Sequence, residues 1–404
     1  MKKEDKKISV VVSGIGGYGY YYLETIQNEF LDGNVKITGV VDPNPENSRY
    51  FNNLKDQNIR CFNSIEEFYD RGNQADLAII TSPIHFHVTQ SIAALKNGSN
   101  VLCEKPVSAI VQDVDSLIKT RDKYKKWVMI GYQWSYSNAI QLLKKDIISG
   151  IYGKPLSFKT FCTWPRDDIY YSRNDWAGKI KDQKGNWILD SPAHNAFAHF
   201  LHNMFYLLGN TIESSASPKN LIAECYRAYP IDNYDTVVCR MFTEDNVELS
   251  LYGSHATQNE IGPSFVLELE DAFVRLEADS SGITASDREG NIKNYGFPDD
   301  DHQFLKLFKA IEAVNSHVPI ICGPEAARSQ VVCVNGIQES IDVIQSFPSS
   351  MITRDEKAGR LWVDNLDRML YDCYKNAVLP SEAGYFWAEK RRRINLTNYS
   401  NFTG

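Results

Sequence analysis

Three groups of residues have the types and spacing to do chemistry. The first, Gly14-Ile15-Gly16-Gly17-Tyr18-Gly19, fits the pattern GxGxxG. It follows the β-branched run Ile8-Ser9-Val10-Val11-Val12 and opens a stretch, Tyr20 to Phe30, with helical spacing. In that setting Gly14 allows a tight turn, Gly16 lets backbone approach a pyrophosphate, and Gly19 lets helix pack on strand. Gly17 and Tyr18 complete the loop, and the helix N-terminus offers N–H groups and positive dipole to the phosphates. Asp42 stands 23 positions after Gly19, near the ~20-residue offset of the acid that binds the adenosine ribose. A carboxylate there repels a 2′-phosphate, which favours NAD over NADP. FAD and S-adenosylmethionine sites use related turns and are minor alternatives.

The second group is Glu104-Lys105-Pro106, directly after the apolar run Val101-Leu102-Cys103. Open α/β sheets bind ligands at the C-terminal ends of their strands. Proline biases Lys105 toward an extended backbone, so its ammonium is aimed. The third is Asp190 with His194, an acid and an imidazole at i and i+4. On one helical face the acid orients and the imidazole moves a proton. His199 and His202 follow, but steps of five and eight residues from His194 turn by ~140° and ~80°. The three imidazoles share no face, and no metal site is expected. Between these groups lies the polar-aromatic stretch 165–186, with Arg166, Asp167, Asp168, Tyr170, Tyr171, Arg173 and Trp176. Together with Trp134 and Trp164 it offers the stacking faces and charged hydrogen-bond partners a polyhydroxylated ring needs. Trp134, Trp164, Arg166, Tyr170 and His194 are the candidate substrate contacts.

The elements that must position these groups can be read from periodicity. Apolar runs at 8–12, 35–41, 59–62, 75–81, 101–103 and 127–131 read as strands. Helical stretches at 20–30, 46–55, 64–70, 87–97 and 108–124 alternate with them. That order predicts a doubly wound parallel sheet, a Rossmann fold. The pattern changes near 131–137. Helices are expected at 138–149 and 193–208, a strand at 156–164, and short antiparallel strands from about 221 to 296. Helices at 301–315 and 324–346 are expected to close the second domain. The chain thus divides into a dinucleotide-binding domain over 1–133, a substrate and oligomerisation domain over 134–360, and an extension over 361–404.

Bulk properties narrow the function class. A chain of 404 residues exceeds one ordinary core. A net charge of −8 argues against a nucleic-acid binder, which needs a concentrated basic face. No stretch approaches the ~18–20 apolar residues that span a bilayer. The charged start, Met1 to Lys7, leads into an apolar run too short for a signal-peptide core. Eight cysteines without a CxxC pair suit free thiols in a reducing cytoplasm.

With these landmarks in order, the sequence resembles the glucose-fructose oxidoreductase/inositol dehydrogenase/MocA family. The resemblance rests on the glycine turn, Asp42, Thr81-Ser82-Pro83 with His87, Glu104-Lys105-Pro106, Gly131-Tyr132-Gln133, Gly150 to Pro155, and Asp190 with His194. It implies a Rossmann domain followed by an α/β domain with a large open sheet. Lys105, Asp190 and His194 then converge beside the nicotinamide. Thr81, Ser82, Pro83, His87, Glu104, Lys105 and Gln133 hold the cofactor with the glycine loop. It further implies hydride transfer at a sugar or polyol hydroxyl by a homodimer or homotetramer. Two other functions fit these residues: an NAD-dependent glycosidase that oxidises its sugar transiently, and a non-catalytic dinucleotide sensor. The chain departs from the family pattern at Gln133, Trp134, Ser135 and Tyr136, where Gly-Tyr-Asn and arginines are frequent, and at Phe197, where an acid is frequent.

Overall fold

A computed structural model describes residues 7–404 except 32, 279, 281 and 317. The charged start at residues 1–6 lies outside the described residues. The chain forms two compact units. The first comprises residues up to Ser108, Gln112–Tyr136 and His302–Ala327. The second comprises Ala109–Val111, Ser137–Asp301 and Arg328–Gly404.

The first unit is built on six parallel strands: β1 (Ile8–Ser13), β2 (Val35–Val41), β3 (Cys61–Phe62), β4 (Leu77–Ile80), β5 (Asn100–Cys103) and β6 (Val128–Ile130). Their order is β3-β2-β1-β4-β5-β6. Val10, Val11 and Val12 of β1 are all buried, because a parallel sheet is covered on both faces and has no polar side. The chain winds from β1 toward β3, then resumes with β4 on the other flank of β1. That reversal opens a crevice at the carboxyl ends of β1 and β4, where such sheets bind ligands. The helices are α1 (Gly19–Glu29), α2 (Phe51–Asp56), α3 (Ile65–Asp70), α4 (His87–Lys96), α5 (Val111–Tyr124) and α6 (Gln133–Tyr136).

The second unit carries a ten-stranded sheet. Its strands include β7 (Pro155–Thr163), β8 (Pro218–Arg227), β9 (Thr236–Thr243), β10 (Glu248–Ser254), β11 (Ile261–Leu269), β12 (Ala272–Leu276), β13 (Ile283–Asp287) and β14 (Ile292–Gly296). The path β14-β13-β12-β11-β7-β10-β9-β8 is antiparallel except where β7 meets β10. Helices α7 (Asn138–Ser149), α8 (Asp168–Ser172) and α9 (Ala198–Leu207) belong here. The expected helix over 193–208 begins only at Ala198. Residues 191–197 form successive turns, with His194 N–H donating to Ser191 at 3.1 Å and Phe197 N–H to Pro192 at 2.7 Å. The Asp190 carbonyl accepts from Asn233 Nδ2 at 3.1 Å. Asp190 and His194 therefore do not share a helical face.

After β14 the chain returns to the first unit as α10 (Leu305–Asn315). Its sequence spacing reveals a helix but not which core receives it. Helix α11 (Pro324–Glu339) stops short of the expected 346, and a short strand, β15 (Gln345–Ser346), pairs with β8. The segment 361–404 lies in the second unit. A hairpin of β16 (Ile352–Asp355) and β17 (Arg360–Val363) leads into α12 (Leu366–Asn376). Leu366, Leu370, Cys373 and Tyr374 share a buried cluster with Phe161, Val238 and Tyr252 of the sheet. Finally β18 (Ile394–Asn395) pairs with β8.

Two buried imidazoles in this unit make stability depend on pH. Burial, aided by the Lys144 ammonium, pushes His202 down to about 3. Burial, aided by Arg166, also pushes His255 down to about 3. Both are depressed in the folded state, so their contribution is complete above the unfolded value near 6.5 and is lost as pH falls toward 3. Each adds a slope of up to about 1.4 kcal/mol per pH unit in that window. His202→Phe should flatten the slope of unfolding free energy against pH by about that amount. Urea titrations at several pH values between 7 and 4 measure it, and an unaltered slope would reject the assignment.

Candidate active site

The glycine loop of the first unit is shaped by contacts that only glycine permits. Gly14 has φ +88°, and a Cβ there would lie 2.4 Å from the Ser82 nitrogen. A Cβ on Gly19 would lie 2.1 Å from the Gly14 carbonyl oxygen and 2.4 Å from Thr81 Oγ1. Around Gly16 and Gly17 the situation is opposite. A Cβ on Gly16 would meet only Asp42 Oδ2 at 3.7 Å, and one on Gly17 nothing within 4 Å. The loop is thus clamped at its two ends and open at its middle. Asp42 draws that middle toward the end of β2, its Oδ2 accepting from Ile15 N–H at 2.9 Å and Gly16 N–H at 3.2 Å. Alanine at Gly14 should lower NAD affinity about 10- to 100-fold, the cost of a forced backbone shift. Calorimetric titration checks this, and an unchanged Kd would contradict it.

The β4 end supports the loop. Thr81 Oγ1 donates within bonding distance of the Ser13 and Gly14 carbonyls, at 2.9 and 2.7 Å. Ser82 Oγ donates to Gln90 Oε1 at 2.7 Å. Pro83 precedes a short helical turn ahead of α4. His87, 2% exposed, places its ring nitrogens 2.7 Å from the Pro106 and Ser82 carbonyls. Burial lowers the His87 pKa and outweighs the two carbonyls, which favour the charged ring. His87 thereby ties the β4 end to the turn after Lys105.

Glu104 and Lys105 follow β5. Glu104 is buried and accepts from the Tyr22 hydroxyl at 2.6 Å and from Lys306 Nζ. Its Oε2 accepts the Lys105 N–H at 3.1 Å. Burial alone raises this carboxyl, but the Lys306 ammonium, the Tyr22 hydroxyl and the Lys105 ammonium together hold it below the ordinary range. Lys306 also donates to the Gly131 carbonyl at 3.2 Å. Gly131 must lack a side chain, since a Cβ would lie 2.8 Å from Glu104 Oε1. Lys105 is half-buried, and its peptide to Pro106 is cis. Gln133 opens α6, and Trp134 in the same helix is buried at 4% exposure. Trp134 thus packs in the first unit.

The second unit gathers the remaining candidates. Asp190 is buried, with Oδ2 accepting from Gly178 N–H at 2.6 Å and Oδ1 from Asn195 Nδ2 at 2.9 Å. His194 is fully buried, and its Nδ1 lies 3.5 Å from Gln330 Nε2, which donates to the Ala193 carbonyl at 3.0 Å. Trp164 packs edge-on to Phe200 and tilted on Phe197. The Arg166 guanidinium lies 5.7 Å from the Trp164 ring and 4.7 Å from that of Tyr170. Burial and then the Asp190 charge raise the Tyr170 phenol, opposed by Arg173 and Arg166. Trp164, Arg166, Tyr170 and Asp190 therefore form one neighbourhood.

The family profile described as an oxidoreductase family with an NAD-binding Rossmann fold (GFO_IDH_MocA) matches residues 8–132. That match covers the six parallel strands of the dinucleotide half and stops before Ser137, where most of the second unit begins. A 2,7-anhydro-N-acetylneuraminate hydratase of Escherichia coli is 29% identical over 182 residues, 43% of this chain and 44% of that protein. A hydratase of the same name from Mediterraneibacter gnavus is matched over 60% of its length at 23% identity. The matched stretches thus span about half of these two relatives. An inositol 2-dehydrogenase of Rhodococcus erythropolis is 23% identical over 88% of this chain and 99% of its own length. The crystal structure of the WlbA dehydrogenase from Bordetella pertussis, in complex with NADH and UDP-GlcNAcA, superposes with a TM-score of 0.66 at 21% identity. It covers 83% of this chain and 96% of that one. That likeness shows the fold.

Matched to an NAD-binding Rossmann fold, the first unit binds NAD, and its residues fit the dinucleotide. The open middle of the loop leaves room for a pyrophosphate beside the first turn of α1, and no side chain caps that helix. Asp42 would be the group to meet the adenosine ribose; its Oδ1 accepts the Asn44 N–H at 3.0 Å beside the two loop bonds of Oδ2. Sequence reasoning missed Lys306, Tyr22 and His255. Lys306 lies 202 positions from Glu104, so no local pattern could pair them. For His255, a histidine ending a β-rich run was the only signal. Phe197 stands where the family often has an acid, and its ring fills the space over Gly253 and packs on His255.

Proposed function

We propose that the protein is an NAD(H)-dependent oxidoreductase acting on a hydroxyl of a sugar or polyol, with Lys105, Asp190 and His194 as its chemical groups. The observation that carries this reading is the glycine cradle beside a lysine fastened by a buried glutamate. Bound NAD supplies the hydride acceptor. Lys105 donates to the reacting oxygen and stabilises developing alkoxide charge. His194 takes the hydroxyl proton, and Gln330 beside its ring holds the imidazole in place. Asp190, itself fixed by Gly178 and Asn195, orients the segment that leads to His194. Relatives named for inositol and for a glucose 6-phosphate as substrates support the substrate class. The same proposal includes a cytoplasmic location and a homodimer or homotetramer. No helix among the described residues is long and apolar enough to cross a membrane.

A second reading is favoured by the hydratase names of two relatives. In it the sugar is oxidised transiently, a bond at a neighbouring carbon is broken, and the hydride returns. A screen of sugars, inositols, glycosides and sugar nucleotides separates the two. NADH accumulating in proportion to product supports the dehydrogenase, while product formed with catalytic NAD and no net NADH supports the second. NAD binding with no chemistry across the panel rejects both and leaves a dinucleotide sensor.

A further inference from the structure

Around Tyr170 the second unit gathers two guanidinium groups, with the Asp190 carboxylate also acting on the phenol. Arg166 lies 4.7 Å and Arg173 3.7 Å from the Tyr170 ring centroid. Neither guanidinium forms an ion pair among the described residues. The neighbouring carboxylates are engaged elsewhere. Asp167 caps α8 through the Tyr170 N–H at 2.7 Å, and Asp168 pairs with Arg354 at 2.5 Å. Asp235 accepts the Ala228 and Tyr229 N–H groups at 2.7 and 2.8 Å. Asp190 binds Gly178 and Asn195 as described.

Two buried atoms point to a ligand. Arg166 Nε is buried and finds no hydrogen-bond partner among the described residues. His255 is 2% exposed, gives Nδ1 to the Trp164 carbonyl at 2.8 Å, and has no described partner for Nε2. Buried polar atoms are nearly always paired, so two orphans beside one arginine pair call for a group from outside the chain. The aromatic contacts cover the faces of the guanidinium groups; Arg173 Nη1 donates to the Tyr170 carbonyl, while the buried Arg166 Nε edge has no described partner. A guanidinium edge matches the two oxygens of a carboxylate or phosphate.

We infer that the Trp164–Tyr170–Arg173 neighbourhood binds an anionic group, a carboxylate or a phosphate, on the sugar whose hydroxyl reacts. Arg166 is the principal ligand, Arg173 assists from the exposed side, and His255 Nε2, an acceptor while Nδ1 donates to the Trp164 carbonyl, takes a hydroxyl of the same sugar. This deepens the oxidoreductase proposal by restricting its substrate to acidic sugars, and it rests on that proposal for the identity of the site.

The test compares matched probes with the NAD-loaded protein: D-glucuronate and D-glucose 6-phosphate, each against D-glucose. The acidic partner is expected to show a kcat/KM at least about 100-fold higher, the worth of a charge-assisted pair. Glucuronate alone gaining assigns a carboxylate, and the phosphate alone gaining assigns a phosphate. Arg166→Met should reduce the acid-to-neutral ratio about 100-fold, and Arg173→Met, an exposed change that keeps the fold, about 10-fold. A ratio near one in the unaltered protein, or a ratio indifferent to both variants, overturns the inference. If no probe turns over, the oxidoreductase proposal fails for these probes, and calorimetry with the NADH-loaded protein decides the anion site separately. Binding of either acid that weakens about 10-fold in Arg173→Met supports it; no binding of either, or binding indifferent to that variant, overturns it.

Discussion

Lys105→Ala is expected to lower turnover by about a thousandfold or more, while NAD affinity changes by less than about fivefold. Lys105 sits at the C-terminal end of β5, half-buried, with its backbone N–H fixed to Glu104 at 3.1 Å. Removing one donor to a developing oxyanion typically costs about 10²–10³ in rate. Losing the preferred course of proton transfer with it adds to that loss. In the proposed reading the glycine loop and Asp42 chiefly hold the cofactor, so its affinity should survive. His194→Ala should give a loss of comparable size, and the double variant little more, because groups acting on one step are not additive. Pre-steady-state hydride transfer and NAD titration together check this. Full activity in either single variant would remove the residue from the mechanism.

The second large effect concerns Lys306. Lys306→Met should destabilise the protein by about 3–5 kcal/mol, because it leaves the buried Glu104 carboxylate without its cation. The sign of the pH dependence identifies the cause. In the unaltered protein the Glu104 pKa is depressed, so its contribution is present above the unfolded carboxylate value and is lost as pH falls through the folded value. Without Lys306, burial is opposed less and the folded pKa rises. The contribution then becomes favourable at low pH and is lost as pH rises. The stability deficit of the variant should therefore shrink toward pH 4 and widen toward pH 7. Glu104→Gln in the Lys306→Met background should recover part of the loss at neutral pH. Urea unfolding at both pH values measures this, and a deficit independent of pH would show that Lys306 acts only through its packing.

Much of the dinucleotide half was legible because its signals are local. A strand, a glycine turn and a helix are contiguous in sequence, and each glycine has its own steric reason, as the clashes built at Gly14 and Gly19 show. Glu104 and Lys105 were legible as a strand end. What held Glu104 was not, since Tyr22 and Lys306 come from distant segments. In the second unit, Asp190 and His194 were read as an i, i+4 pair on one helical face, but the helix expected to carry them starts only at Ala198. Pro192 supplies no N–H for a helical ladder, and Asn233 takes the Asp190 carbonyl. Arg166 and Tyr170 were legible as types, while their orphaned partner His255 was not.

By itself the sequence determined the parallel sheet, the dinucleotide cradle and the lysine at a strand end, because these depend on steric and periodic features within about thirty residues. Only the tertiary structure decided which cation neutralises Glu104, that α10 joins the first unit, and that the segment after residue 360 completes the core of the second. Burial and charge pairing depend on which segments meet across hundreds of residues. Chain order alone does not carry that information.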